Sequence, residues 1–457
     1  MAYTTIDDPT IHFNTKIYTG NGSNSNAITG VGFQPDWVWI KDRDNVRNNV
    51  LNDSVRGAPI NLFSNTSGAE SSDSTTLVSF DSDGFTLNNG IKVNGSSINF
   101  VSWNWKAGGT APTQTYIVKV VSDSGNKYRF DDFGASAVTL DLQEGGTYTF
   151  DQSDSSNATH PLRFYTASDK SGGEYTTGVT TTGTAGSSGA KTVITVAASA
   201  PTLYYQCSSH AGMGGQVNTN STFGSSNFSG TIQSKVSANS TAGMSIVSWT
   251  GTGSAATIGH GLSSIPKMIW VKRRDADDTW WTYNETIGNG AYLALNSNAA
   301  KNTSGASGLW NSTSPTSSVF SVGTNTGVNG SSGTYVAYCF ADVKGYLKIG
   351  SYKGNGNANG AFIYTGFKPA WSIVKPVDVT QNWQIHDLKR LGYNVTNKNL
   401  SSNSTAAEAE NDFMDILSNG MKIRRADVLN VSTDEYIYMA FAESPFVNSN
   451  GVPNNAR

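Results

Sequence analysis

The stretch Gly32-Phe33-Gln34-Pro35-Asp36-Trp37-Val38-Trp39-Ile40-Lys41 decides the fold. Pro35 precedes a run of aromatic and β-branched residues, where its missing N–H costs no ladder hydrogen bond, so the run reads as a strand. The pattern returns twice, with Pro266 leading Lys267-Met268-Ile269-Trp270-Val271-Lys272 and Pro369 leading Ala370-Trp371-Ser372-Ile373-Val374-Lys375. A lysine stands six residues after the proline in every case. Seventeen residues before each proline an aromatic-x-Gly-x-Gly occurs: Tyr18-Thr19-Gly20-Asn21-Gly22, Trp249-Thr250-Gly251-Thr252-Gly253 and Tyr352-Lys353-Gly354-Asn355-Gly356. Each copy closes on an apolar run, Phe100 to Trp105, Tyr335 to Phe340 and Tyr436 to Phe441. Three agreements in fixed order mark three copies of one β-sandwich, at 11–109, 243–345 and 346–447. Trp270 stands two places further from its proline than Trp37 and Trp371 do. Because a strand alternates with period two, all three are expected on one sheet face.

Composition agrees. The chain has 48 Gly, 11% aromatic and only 14% charged residues, which suits short strands joined by turns better than helices. The expected class is all-β, a multi-domain string of β-sandwiches in which three related jelly-roll-like modules accompany a fourth, Greek-key domain at 113–221. Residues 1–10 read as an arm, 222–242 as a Ser-, Asn- and Thr-rich linker and 448–457 as a tail. Thr405 to Leu417 reads as a short helix, with Ser404 to cap it and Gly420 beyond its end. A net charge of −3 gives no long-range attraction for nucleic acid or an anionic membrane. No apolar run approaches the roughly 20 residues that span a bilayer, and the first ten residues lack the features of a secretory signal. The two cysteines, Cys207 and Cys339, fall in different modules, so no disulfide scaffold is expected. Many aromatics with few charges predict apolar surface covered by sibling subunits, a homo-oligomer and by analogy a trimer.

Metal-capable side chains concentrate in one place. Cys207, His210 and Met213 stand three apart in the loop after Pro201-Thr202-Leu203-Tyr204-Tyr205, and Asn157-Ala158-Thr159-His160-Pro161-Leu162 offers a second imidazole. A thiolate, two imidazoles and a weak thioether make up the ligand shell of a blue-copper site. With this set and this loop spacing, 113–221 resembles the cupredoxins, specifically their short-loop members. The resemblance implies copper as cofactor, with His160, Cys207 and His210 as equatorial ligands and Met213 as the axial one.

Catalytic motifs are missing: there is no GxSxG, HExxH, P-loop or dinucleotide fingerprint, and the expectation is a protein that is not an enzyme. The repeats themselves, with Gly32 to Lys41, Asp53-Ser54-Val55-Arg56-Gly57 and Ser79-Phe80-Asp81-Ser82-Asp83-Gly84-Phe85, resemble modules of virion proteins of tailed phages, notably those of marine bacteria. That resemblance implies a tail-fibre or other particle appendage located in the virion, with other virion proteins as partners and a host-surface glycan or receptor as its target. The Trp280-Trp281 pair could stack on sugars or pack in a core. Two other classes compete, a copper redox protein anchored by the sandwiches and a bacterial surface lectin.

Overall fold

The computed structural model describes residues 3–390 and 394–454. The chain is all-β, with 43% of residues in strands and 4% in helix. In the first module a six-stranded sheet centred on Trp37–Asp42 and Asn99–Trp105 packs on a three-stranded one containing Asn26–Thr29, Leu77–Asp81 and Gly84–Leu87. The second module repeats this with Met268–Arg273 and Thr334–Phe340 at its centre, and the third with Phe367–Pro376 and Glu435–Pro445. In the third the strands run on through one continuous eight-stranded sheet.

The recurring motifs now have physical causes. The aromatic residues stack on their neighbours in the closing strand: Tyr18 on Phe100 at 5.3 Å, Trp249 on Tyr335 at 5.3 Å and Tyr352 on Tyr436 at 4.8 Å. The first glycine of each motif lies against a carbonyl. A Cβ would stand 2.2 Å from the oxygen of Gly95 in the first copy, 2.4 Å from that of Gly330 in the second and 2.1 Å from that of Val431 in the third. The second has positive φ of 69°, 76° and 65°. A buried asparagine, Asn94, Asn329 or Asn430, then ties the loop down from below. Gly354→Ala should therefore lower stability by about 1–3 kcal/mol, the usual range for overpacking. Gly109→Ala, with nothing near its added methyl, should leave the unfolding midpoint unchanged, and equal midpoints for the two variants would refute the close-approach explanation.

The tryptophans share one face, as alternation requires. Trp37 pairs with Trp105, Met268 with Phe340 and Trp371 with Phe441, so Met268 fills the Trp37 position and Trp270 the Trp39 position. All of these are buried in a single cluster drawn from all three modules. Trp37 meets Trp270 at 6.1 Å, Trp105 meets Trp371 at 5.5 Å, and Phe340 meets Phe441 at 6.2 Å. The expected string of sandwiches thus closes into a ring around one aromatic core. The aromatics that suggested subunit contacts are covered by sibling modules of the same chain.

Closure proceeds by a cyclic handover of loops. The loop after Ile60–Phe63 enters the second module, where the Ser67 carbonyl accepts from Asp278 N (2.8 Å) and Lys272 Nζ (2.9 Å). The loop after Leu293–Ala294 enters the third, with Lys301 N donating to Val377 O (2.7 Å) and Gln381 N to Asn298 O (2.8 Å). The loop after Thr396–Ser401 enters the first, where the Thr405 carbonyl accepts from Arg47 N (2.9 Å) and Lys41 Nζ (3.1 Å). The lysine six residues after each proline is accounted for as well. Lys41, Lys272 and Lys375 are all buried, their ammonium groups held by backbone carbonyls that include the incoming loop's in the first two modules.

Two expectations are corrected. Ala409–Leu417 is a strand, not a helix: it forms a hairpin with Gly420–Ile423 across Leu417 and Gly420, as Leu77–Asp81 does with Gly84–Leu87. Phe413, Met414 and Ile416 gain burial there, and this tertiary pairing outweighs the helix propensity of the Ala- and Glu-rich run before them. Residues 222–242 are no free linker. Ser234–Asn239 adds to the second module's sheet beside Met244–Thr250, and Ser225–Asn227 pairs with it in turn. Polar sequence is compatible with strands near a sheet edge, where one face meets solvent. Of the two readings of the Trp280-Trp281 pair, core packing is the one seen for Trp280, which is fully buried and donates to the Phe63 carbonyl at 3.0 Å, while Trp281 is half-buried against Tyr292 and Asp278. The N-terminal arm docks: Ile6 is buried, Thr4 Oγ1 donates to Lys344 O, and Asp7 accepts from Ser449 of the tail.

Candidate metal centre

The insert is a two-sheet sandwich. One sheet orders Asn126–Phe130, Thr113–Ser122, Thr147–Asp151, Lys191–Thr195 and Val179–Thr182, and the other Leu140–Gln143, Gln216–Asn220, Leu203–Cys207 and Leu162–Tyr165. Each sheet contains one parallel pair between strands that are not consecutive in the chain, as crossover connections produce. An apolar cluster including Tyr116, Phe130, Phe150, Phe164 and Tyr205 fills the space between them.

Strand register builds the site. Leu162 pairs with Cys207 in the antiparallel ladder, and beyond it Ser208 N donates to Pro161 O at 3.0 Å. His160, two residues before Leu162, is thereby brought beside the loop that begins at Cys207. The Cys207 Sγ lies 3.8 Å from Nδ1 of His160 and 3.5 Å from Nδ1 of His210. One ligand atom from each of the three residues lies within 4.8 Å of the others. The two imidazole rings are 4.6 Å apart. Cys207 and His160 are buried and His210 is exposed. Met213, 1% exposed, belongs to the same apolar cluster as Cys207.

Several contacts hold this geometry in place. The His160 carbonyl accepts from Tyr128 Oη (2.8 Å) and Gln152 Nε2 (2.9 Å), while Gln152 Oε1 accepts from Leu162 N (3.0 Å). Tyr128 N donates to the Met213 carbonyl at 2.9 Å. Lys170 Nζ lies 3.2 Å from the carbonyls of both Cys207 and Ser208. Gly214 N donates to Gln206 Oε1, closing the loop. Burial, and secondarily the charge of His210, holds His160 below the ordinary histidine pKa, so its ring is neutral and able to donate a lone pair at neutral pH. Burial first and then the neighbouring Cys207 push the Tyr128 hydroxyl far above its usual range, keeping it a hydrogen-bond donor.

All four residues singled out from the sequence therefore lie in one sandwich, and three have their ligand atoms together. Sequence reading missed Tyr128, Gln152 and Lys170. The alternation in Asn126-Lys127-Tyr128-Arg129-Phe130 does mark Tyr128 as inward-facing, but nothing local shows that it reaches His160.

A ring of three sandwiches interrupted by a fourth with a preformed His₂Cys cluster is the class of protein that fold and site define. The chain belongs to the family described as Domain of unknown function (DUF7483), whose model matches residues 8–131 and 217–445. His160, Cys207, His210 and Met213 all fall between the two matched segments. No curated protein and no solved structure matches the chain.

Proposed function

We propose that this protein is a structural component of a tailed-phage particle, a rigid appendage contributing to attachment at the host surface, and that its inserted sandwich binds one copper ion. The copper reading is carried by the thiol of Cys207 facing Nδ1 of both histidines. Soft thiolate and thioether donors combined with imidazoles suit copper in preference to oxygen-seeking cations. Copper held there would supply one-electron redox chemistry, while the chain's own part is to hold the donors and keep the thiolate away from water. Purified protein given Cu(II) should take up one equivalent and turn intensely blue through thiolate-to-copper charge transfer. Colourless protein, or uptake unaffected by loss of these side chains, would remove the reading.

The structural reading is supported by the ring, which buries its aromatic faces within one chain, and by the likeness of its repeats to virion modules. Other virion proteins and sibling copies would meet it through the outer surface, and a glycan or receptor through exposed loops. Mass spectrometry of particles from a phage encoding the chain decides the matter. The protein should be found at fixed copy number, and its absence from purified particles would refute a virion role.

A further inference from the structure

We propose that Asn126 is a positioning residue for this metal centre, its amide pairing with Nε2 of His160 both when that nitrogen accepts and when it carries the proton. The inference rests on the copper reading and extends it to a residue outside the ligand set. Among the described residues, the His160 ring has two hydrogen-bonding neighbours: Cys207 Sγ at Nδ1 (3.8 Å) and Asn126 Nδ2 at Nε2 (3.4 Å). A neutral imidazole has one donor and one acceptor nitrogen, and the partner of one fixes the role of the other. With the amide N–H directed at Nε2, that nitrogen accepts, so the proton sits on Nδ1 and points toward sulfur. Metal binding through Nδ1 needs the opposite arrangement, with the lone pair on Nδ1 and the proton on Nε2.

An asparagine serves both arrangements. Turning its amide by half a revolution presents Oδ1 to Nε2–H while leaving the outline of the side chain unchanged. The ring itself need not move, because its backbone is anchored on both sides: His160 N donates to Asn157 O at 2.8 Å, and its carbonyl is held by Tyr128 and Gln152. Asn126 sits at the start of its strand, opposite Ser122, and is exposed. The geometry assigns Asn126 the task of accommodating the proton that changes nitrogen when the metal binds.

Two variants test this. Asn126→Asp can only accept, so in metal-free protein at mildly alkaline pH it should hold the Nε2–H tautomer, whereas wild type holds Nδ1–H. Nitrogen-15 NMR of the imidazole reads this without any metal. In competition titrations with Cu(II), Asn126→Leu, which neither donates nor accepts, should bind about tenfold to a hundredfold more weakly than wild type. Asn126→Asp should bind at least as tightly as wild type and retain the blue band. One tautomer and one copper affinity across all three proteins would overturn the proposal. Wild-type protein that takes up no copper would refute the copper reading, and the tautomer measurement would still decide whether Asn126 governs the ring.

Discussion

Arg390→Ile should cost about 3–5 kcal/mol of stability, the range found when one partner of a buried ion pair is removed. Arg390 and Asp387 are both fully buried, with Nε 2.6 Å from Oδ2. The same carboxylate accepts from Trp103 Nε1 of the first module at 2.9 Å, so the pair lies where the third module meets the first. Arg390 also reaches Glu408 at 3.1 Å. Without the guanidinium, the buried Asp387 carboxyl group is left, among the described residues, with only the Trp103 indole and the backbone N–H groups of residues 389 and 390 as hydrogen-bond partners. The first module repeats the arrangement: Arg56 pairs with Asp53 at 2.5 Å, and Tyr338 of the second module donates to Asp53 at 2.7 Å.

The second module shows how the loss can be repaired. Asn284 and Ile287 occupy the corresponding positions, and the side chain contributed by the third module at the place of Trp103 and Tyr338 is Met439. Methionine has no hydrogen to donate, and there the carboxylate and its arginine are both absent. Combining Asp387→Asn with Arg390→Ile should therefore restore most of the stability lost by Arg390→Ile alone, because the Asn amide oxygen still accepts from Trp103. Denaturant unfolding of the two single variants and the double closes the cycle. A single substitution costing under about 1 kcal/mol, as exposed pairs do, would show that the pair contributes little to the junction.

Cys207→Ser should abolish the blue colour completely while the far-ultraviolet circular dichroism stays that of the wild type. The absorption arises from the thiolate, and a serine hydroxyl is neither deprotonated at neutral pH nor soft enough to replace it. The fold should survive, because the side chains are nearly equal in size and the strand Leu203–Cys207 is held by backbone pairing on both sides. Burying the hydroxyl should cost about 1–3 kcal/mol where it finds no partner. His210→Ala, at the exposed ligand, should weaken copper binding with little change in stability. Unchanged colour in Cys207→Ser would mean that copper sits elsewhere.

Much of this was legible in the sequence because it is local or periodic. The spacing from aromatic to proline to lysine reports a strand and a loop built alike three times, and the parity of Trp37, Trp270 and Trp371 correctly placed them on one face. Closure of the ring was not legible. Asp53 meets Tyr338, and Asp387 meets Trp103, across more than 280 residues, and no short pattern encodes such pairing. Thr405 to Leu417 misled because its first half is rich in helix formers. The hairpin signal Ser418-Asn419-Gly420 after it, matching Ser82-Asp83-Gly84 in the first module, was the better guide. At the candidate site the three-residue steps from Cys207 marked metal-capable side chains on one loop, whereas Asn126, Tyr128 and Gln152 reach it from other parts of the sandwich and carry no signature.

The handover of loops around the ring has a consequence for copy number. Three separate chains exchanging the same loops would be identical, and whatever one of them carried, all would carry. Fusion of the modules frees each from that equality. Here a single ring holds one inserted sandwich, between the first and second modules, where three free-standing subunits would have to display three. Fusion also lets one junction discard its ion pair and another keep it. An object with nearly threefold contacts thus bears a single His₂Cys cluster on one side, and any surface that engages it can tell one module from the next.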